Sequence, residues 1–180
     1  MDNSYTKELN FNLTRKMLAC SMTKFSKIIV LACILILSMG SALALREYLQ
    51  VAQLDGTQLF SVLIASLNLE YTVNTGVNFG LASEATSSRQ YLLAFVACFV
   101  CLGALLWGIL SQTKWATVIA GLLAGGGLAN AYERVAFGGV FDYLNVSLAF
   151  FTNPFSFNVA DIYIFVGVLL FIFRPHQSDE

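Results

Sequence analysis

The chain has 180 residues, 57% of them hydrophobic and only 12% charged, with a net charge of −1 and a mean hydropathy of +0.70. Soluble domains carry roughly 45–50% apolar residues, so this composition reads as a single integral membrane domain, and the charge balance leaves no basic surface for a nucleic-acid partner. In chain order, residues 1–27 are polar and carry Lys7, Arg15, Lys16, Lys24 and Lys27 against Asp2 and Glu8, the pattern of a cytoplasmic N-terminal arm. Met17-Leu-Ala-Cys20 has the outline of a lipoprotein cleavage box, but no apolar stretch precedes it, which excludes that reading.

Ile28 to about Leu45 is uncharged and long enough to cross a hydrocarbon core of about 30 Å, giving a first transmembrane helix. Arg46 to Arg89 is expected as the first extramembrane section. Within it Leu67, Leu69, Tyr71 and Val73 alternate with Asn68, Glu70, Thr72 and Asn74, the period of a half-buried strand. Asn74-Thr-Gly76 then reads as a turn, with Gly80 closing it. For Asn74 two readings stay open: turn chemistry, or a side-chain amide presented to a peptide or lipid headgroup.

Tyr91 to Leu110 is expected as the second span, Trp115 to about Ala131 as the third, and a fourth begins near Phe157 and ends at Phe173. Gly121 and Gly125 form a GxxxG followed by Gly126 and Gly127, a pattern that predicts close helix packing. Cys20, Cys33, Cys98 and Cys101 lie in the arm or in apolar spans and are expected as free thiols; Cys98-Phe-Val-Cys101 has metal or redox spacing but inside a span reads as packing. His176 reads as a solvated tail residue. Sorted by side, Lys7, Arg15, Lys16, Lys24, Lys27, Lys114 and Arg174 fall with the N-terminus and Arg46, Arg89 and Arg134 fall opposite. The positive-inside rule therefore places both termini in the cytoplasm and the polar segments on the outer face. This gives a cytoplasmic arm at 1–27, a four-helix membrane domain at 28–174 and a cytoplasmic tail at 175–180.

Charge is scarce, so the stretch Gly125 to Asp161 stands out: it holds Glu133, Arg134, Asp142 and Asp161 at the edges of apolar runs. A carboxylate there is costly unless it is paired, hydrated or used. Asp142 and Asp161 are 19 residues apart, across an expected loop that can fold back. Two carboxyls brought together can share one proton, because like charges a few ångströms apart cannot both ionise. That pair can act as base and acid toward a water molecule, with Asn130, Asn158 and Arg134 as donors to a peptide. The simpler alternatives are a turn-capping role for Asp142 and an ion pair with Arg134 for Asp161. One histidine and no thiol cluster leave no zinc site.

Asn130-Ala-Tyr-Glu-Arg134, Gly139-Val-Phe-Asp142, Phe157-Asn-Val-Ala-Asp161 and the earlier Leu67 to Gly80 block resemble, in order and spacing, the motif blocks of the lipoprotein signal peptidase (signal peptidase II) family over roughly Ile28 to Phe173. The resemblance implies a fold of four transmembrane helices with a small extracytoplasmic β-sheet in the bacterial inner membrane. It implies an aspartic endopeptidase that removes signal peptides from diacylglyceryl-modified prolipoproteins, just before the lipidated cysteine, with no metal or cofactor and with membrane lipids around it. The catalytic pair then falls on Asp142 and Asp161, and the substrate-binding positions on Asn74, Asn130, Arg134 and Asn158. Asn74, Gly76 and Phe79 retain an N-x-G-x-x-F block, while Asn78 replaces a small apolar residue.

Other departures concern charge. The family's first helix carries a D-x-x-S-K pattern, whereas Ser38-Met-Gly-Ser41-Ala42 has neither the Asp nor the Lys; Glu133 stands for an Asp and Ala129 for a Gly. These changes leave the pair of aspartates intact but remove supporting charge, and Glu133 is expected to be structural support. The competing reading is a non-catalytic descendant that binds lipidated peptides or assists assembly of a membrane complex. A small transporter fits less well, because the polar residues gather at one membrane edge.

Overall fold

The computed structural model describes residues 23–62, 65–76, 87–148 and 155–173. Along them run α1 (Lys24–Ala52), β1 (Gln58–Val62), β2 (Ala65–Asn74), α2 (Ser87–Leu110), α3 (Lys114–Phe137), β3 (Val140–Leu148), β4 (Ser156–Phe157) and α4 (Val159–Phe173). Cys20, Asn78, Phe79, Gly80, Arg174 and His176 lie outside the described residues.

The first helix is longer at both ends than its uncharged stretch. The Thr23 hydroxyl caps it by accepting from the Ser26 N–H at 3.2 Å, so residues 24–27, assigned to the polar arm, form its first turn. Lys27 is buried and its Nζ donates to the carbonyl of Ser111 at 2.8 Å, satisfying a backbone acceptor at the end of α2. At the other end α1 continues past Leu45 to Ala52 and stops where Gln53 turns left-handed at φ 50°. Arg46, expected outside the membrane in a connecting section, is therefore a helical residue and only 4% exposed. The reason is packing: the continuing turns bring Leu49 against Leu69, Phe141 and Tyr143 of the sheet.

α3 is the central helix, packed against α1, α2 and α4. Its composition suits that place, with Ala116, Ile119, Ala120, Ala124 and Ala129 fully buried. A Cβ on Gly125 would collide with Ser38 of α1, and one on Gly126 with the carbonyl oxygen of Ala160 in α4, so both neighbours approach as closely as backbone allows. The close packing expected of the glycine cluster is thus present on two sides. Large apolar side chains such as Leu37, Phe95, Phe99, Phe165 and Phe173 face outward. α1 and α2 are each long and apolar enough to cross a membrane, and α4 is a shorter apolar helix.

β1, β2, β3 and β4 form an antiparallel sheet in that order. β2 follows the expected alternation at Leu69, buried, and Glu70, exposed, but an irregularity between Leu69 and Thr72 shifts the register so that Thr72 opposes Asp142 and Asn74 opposes Val140, and Val73, expected on the buried face, is exposed. Gly138 at φ 76° ends α3, its N–H returning to the Arg134 carbonyl at 3.2 Å, and turns the chain directly into β3. Asp142 therefore lies on a strand instead of in a loop.

Candidate active site

Asp142 is the third residue of β3, 2% exposed and beside the end of β2. Its two carboxyl oxygens accept from different amides: Oδ2 from Asn74 Nδ2 at 2.9 Å and Oδ1 from Asn158 Nδ2 at 2.9 Å. Burial pushes this carboxyl up to about 6, opposed first by the Asn74 hydrogen bond, reinforced by the nearby Asp161 charge, and opposed again by Asn158 and Arg134. A carboxylic acid poised near neutrality is what proton transfer to and from water requires.

Asp161 owes its place to the start of α4. The Asn158 side chain accepts from the Asp161 N–H at 3.0 Å, and Asp161 Oδ2 accepts from the Asn158 N–H at 3.2 Å, a reciprocal cap of the first turn. Such a cap alone would make Asp161 structural. Its other oxygen, however, accepts from Asn130 Nδ2 at 2.8 Å, and Asn158 Nδ2 reaches both Asp142 Oδ1 and, at 3.2 Å, Asn130 Oδ1. Asn158 consequently touches both carboxyls at once. Asn74, Asn130, Asp142, Asn158 and Asp161 are one hydrogen-bonded group at one end of the helix bundle.

Arg134 borders this group but makes no ion pair with Asp161 among the described residues; its Nη1 donates to Gln90 Oε1 at 3.1 Å. Gln90 is 1% exposed and its Nε2 donates to the Thr75 carbonyl at 2.8 Å, tying Arg134 to the Asn74 turn. Of the two readings left open for Asn74, the turn is present, and its amide nitrogen is engaged by Asp142. Its Oδ1 accepts from the Gly76 N–H at 2.8 Å in a turn where Gly76 takes φ 80°, while its Nδ2 serves Asp142. Glu133, 3% exposed, binds neither aspartate: it accepts from the Phe141 N–H at 2.7 Å, with Arg46 Nε 3.4 Å from the same oxygen.

Gln90 and Arg46 were not singled out from the sequence. A lone glutamine at the head of an apolar run was the only local sign of the first, and nothing local shows that α1 carries Arg46 inward. The Asn-x-x-Asp spacing of 158–161 is a helix-cap signature that would have fixed the geometry of Asp161. Cys33, Cys98 and Cys101 are free, and no group of three or more His, Cys, Asp or Glu among the described residues is placed to hold a metal.

The family model described as signal peptidase (SPase) II matches residues 30–175. A lipoprotein signal peptidase of Rhodopseudomonas palustris (strain TIE-1) is 36% identical over 104 residues, 56% of this chain and 63% of that protein. One from Sphingopyxis alaskensis is 31% identical over 112 residues, 62% of this chain and 65% of that protein. The match thus spans a little under two thirds of each of these two relatives. With the lipoprotein signal peptidase of Psychromonas ingrahamii, at 30% identity, it reaches 74% of this chain and 78% of the relative. In fold the chain is similar to a bacterial membrane enzyme solved in meso at 1.9 Å, with a TM-score of 0.60, 20% identity, and 82% and 90% of the two chains covered. With a family match across most of its length, and the aspartates of the matched blocks gathered at one bundle end, this chain belongs to the signal peptidase II family.

Proposed function

We propose that the chain is an aspartic intramembrane endopeptidase that removes signal peptides from diacylglyceryl-modified prolipoproteins, with Asp142 and Asp161 as the catalytic pair. The observation that carries this is the bracketing of both carboxyls by Asn158, with Asp142 buried and its carboxyl raised to about 6. The relatives' shared name, lipoprotein signal peptidase, supports the substrate class.

In this reading the pair holds one proton. The ionised carboxylate takes a proton from water as the water oxygen bonds to the scissile carbonyl carbon, and the protonated partner gives its proton to the carbonyl oxygen. The resulting diol collapses as the C–N bond breaks: a hydroxyl proton returns to one carboxylate and the amine leaves with a proton from the other, so the pair ends as it began. Asn130, Asn158 and Asn74 hold the carboxyls in orientation, and Arg134 binds a peptide carbonyl or the substrate's lipid-linked segment. All four helices span the inner membrane, both termini lie in the cytoplasm and the site opens at the outer face, as the Lys and Arg distribution indicates.

The test is cleavage of a diacylglyceryl-modified prolipoprotein by the purified protein in detergent. Wild type is expected to cleave, and Asp142→Asn and Asp161→Asn each to lose about 100- to 10,000-fold in kcat, the usual worth of a positioned acid or base. Saturable binding of the lipidated substrate with no wild-type cleavage would replace this reading with the non-catalytic binder, which the uncharged Ser38 and Ala42 favour.

A further inference from the structure

We propose that Arg46 and Glu133 form a buried positioning pair that fastens the first residues of β3 to α1 and α3 and thereby aims the Asp142 side chain; its catalytic consequence rests on the peptidase reading above. Glu133 accepts from the N–H of Phe141, the residue directly before Asp142, at 2.7 Å. This bond reaches the strand backbone, so movement of Glu133 is movement of β3. Arg46 fixes Glu133 in turn. Its Nε lies 3.4 Å from Glu133 Oε2 with no hydrogen bond, its Nη1 pairs with Glu47, and its guanidinium lies 3.6 Å above the Phe137 ring and 5.9 Å from that of Phe141. Both members are nearly inaccessible, at 4% and 3% exposed.

The position of the pair explains how this chain does without charge deeper in α1. Ala42, Ala129 and Ala160 meet in one small-residue layer where α1, α3 and α4 pack. Arg46 and Glu133 lie four residues beyond Ala42 and Ala129, one helical turn further toward the sheet on the same faces. The alanine layer is buried between the three helices, and the next turn holds a cation and a carboxylate against the strand that carries Asp142. A buried charge is retained at a cost unless its partner and its hydrogen bonds are present. Here the carboxylate has both a backbone N–H and a guanidinium, and the guanidinium has a stacking ring.

The test uses the full chain in detergent with Arg46→Met, Arg46→Lys, Glu133→Gln and the Arg46→Met/Glu133→Gln double variant. Three quantities are read: amide exchange over Val140–Tyr143, the titration of the 13C-labelled Asp142 carboxyl, and kcat and KM for a diacylglyceryl-modified prolipoprotein. Arg46→Met is expected to speed exchange in that segment, displace the Asp142 titration and lower kcat by about 10- to 100-fold with little change in KM, as small misplacement of a reacting group does. Arg46→Lys should recover part of each, because charge returns without the planar stack. The double variant should be no worse than the worse single one, since both break one linkage.

A merely stabilising pair would lower the melting temperature and leave the Asp142 titration and kcat unchanged in the folded protein, and that result would overturn the proposal. Additive losses in the double variant would also overturn it. Should Arg46→Met not fold, Arg46→Lys and Glu133→Gln give the same comparison. If wild type binds substrate without cleaving it, the peptidase reading fails while exchange and titration still decide the pair.

Discussion

Asp142 shows how one side chain acquires its chemistry from its surroundings. Buried on β3, it retains its proton up to about 6, well above an ordinary aspartate, and the Asn74 amide is the strongest influence in the opposite direction. The sign follows: a raised value means the protonated form is present below about 6 and is lost as pH rises through it. If the pair works with one shared proton, kcat/KM of wild type should fall on an alkaline limb beginning near 6. Asn74→Ala removes a donor that favours the ionised form, so that limb should move to higher pH. A pH profile of kcat/KM for the two proteins checks this; a limb that stays in place, or moves down, would contradict the assignment of the proton to Asp142.

At the scale of elements, α3 connects packing with the site. Its glycines let α1 and α4 approach its backbone, and α4 begins with the cap that holds Asp161 to Asn158. An added methyl at Gly126 would press on the Ala160 carbonyl, a backbone atom next to Asp161, whereas one at Gly127 meets only the Cys101 Sγ, the end of a movable side chain. Gly126→Ala should therefore destabilise by about 1–3 kcal/mol, the usual cost of overpacking, and should also lower cleavage in the folded fraction by moving Asp161 away from Asn130. Gly127→Ala should be much milder in both respects. Thermal unfolding in detergent, together with kcat measured well below the transition, separates the two effects; equal behaviour of the variants would show that the α4 contact does not govern the site.

For the whole molecule, the polar group and the sheet occupy one end of the bundle, and the Lys27 to Ser111 bond ties the opposite end, where α1 begins and α2 gives way to α3. In the proposed topology the basic residues near that end lie in the cytoplasm. Asp55, just before β1, and Gln112, between α2 and α3, are both exposed and mark the two ends. In a background with all four cysteines replaced by alanine, Asp55→Cys in intact cells should react with a membrane-impermeant maleimide, and Gln112→Cys should react only after the membrane is opened. The reverse pattern would put the aspartates on the cytoplasmic side and remove the outer-face site.

The membrane class, the cores of the four helices and the presence of strand β2 were legible in the sequence because each is a local property: hydropathy along a run, or a period of two. The candidate positions Arg134, Asp142 and Asp161 drew notice for a related reason, since charged residues at the edges of apolar runs stand out where charge is scarce, whereas the candidacy of Asn74 came from the resemblance. What joins them was not legible. The inward turn of α1 at Arg46 depends on Leu49 meeting the sheet, and the role of Gln90 depends on Thr75 and Arg134 lying on either side of it. Asp142 became a buried strand residue because β2 supplies its partner strand, and its raised proton affinity is set by burial and by groups from β2, α3 and α4. The sequence by itself determined which side chains are available and which segments are apolar. Tertiary structure alone decided that Asn158, which caps Asp161 locally, would also reach Asp142, because desolvation and hydrogen-bond geometry there depend on neighbours distant in the chain.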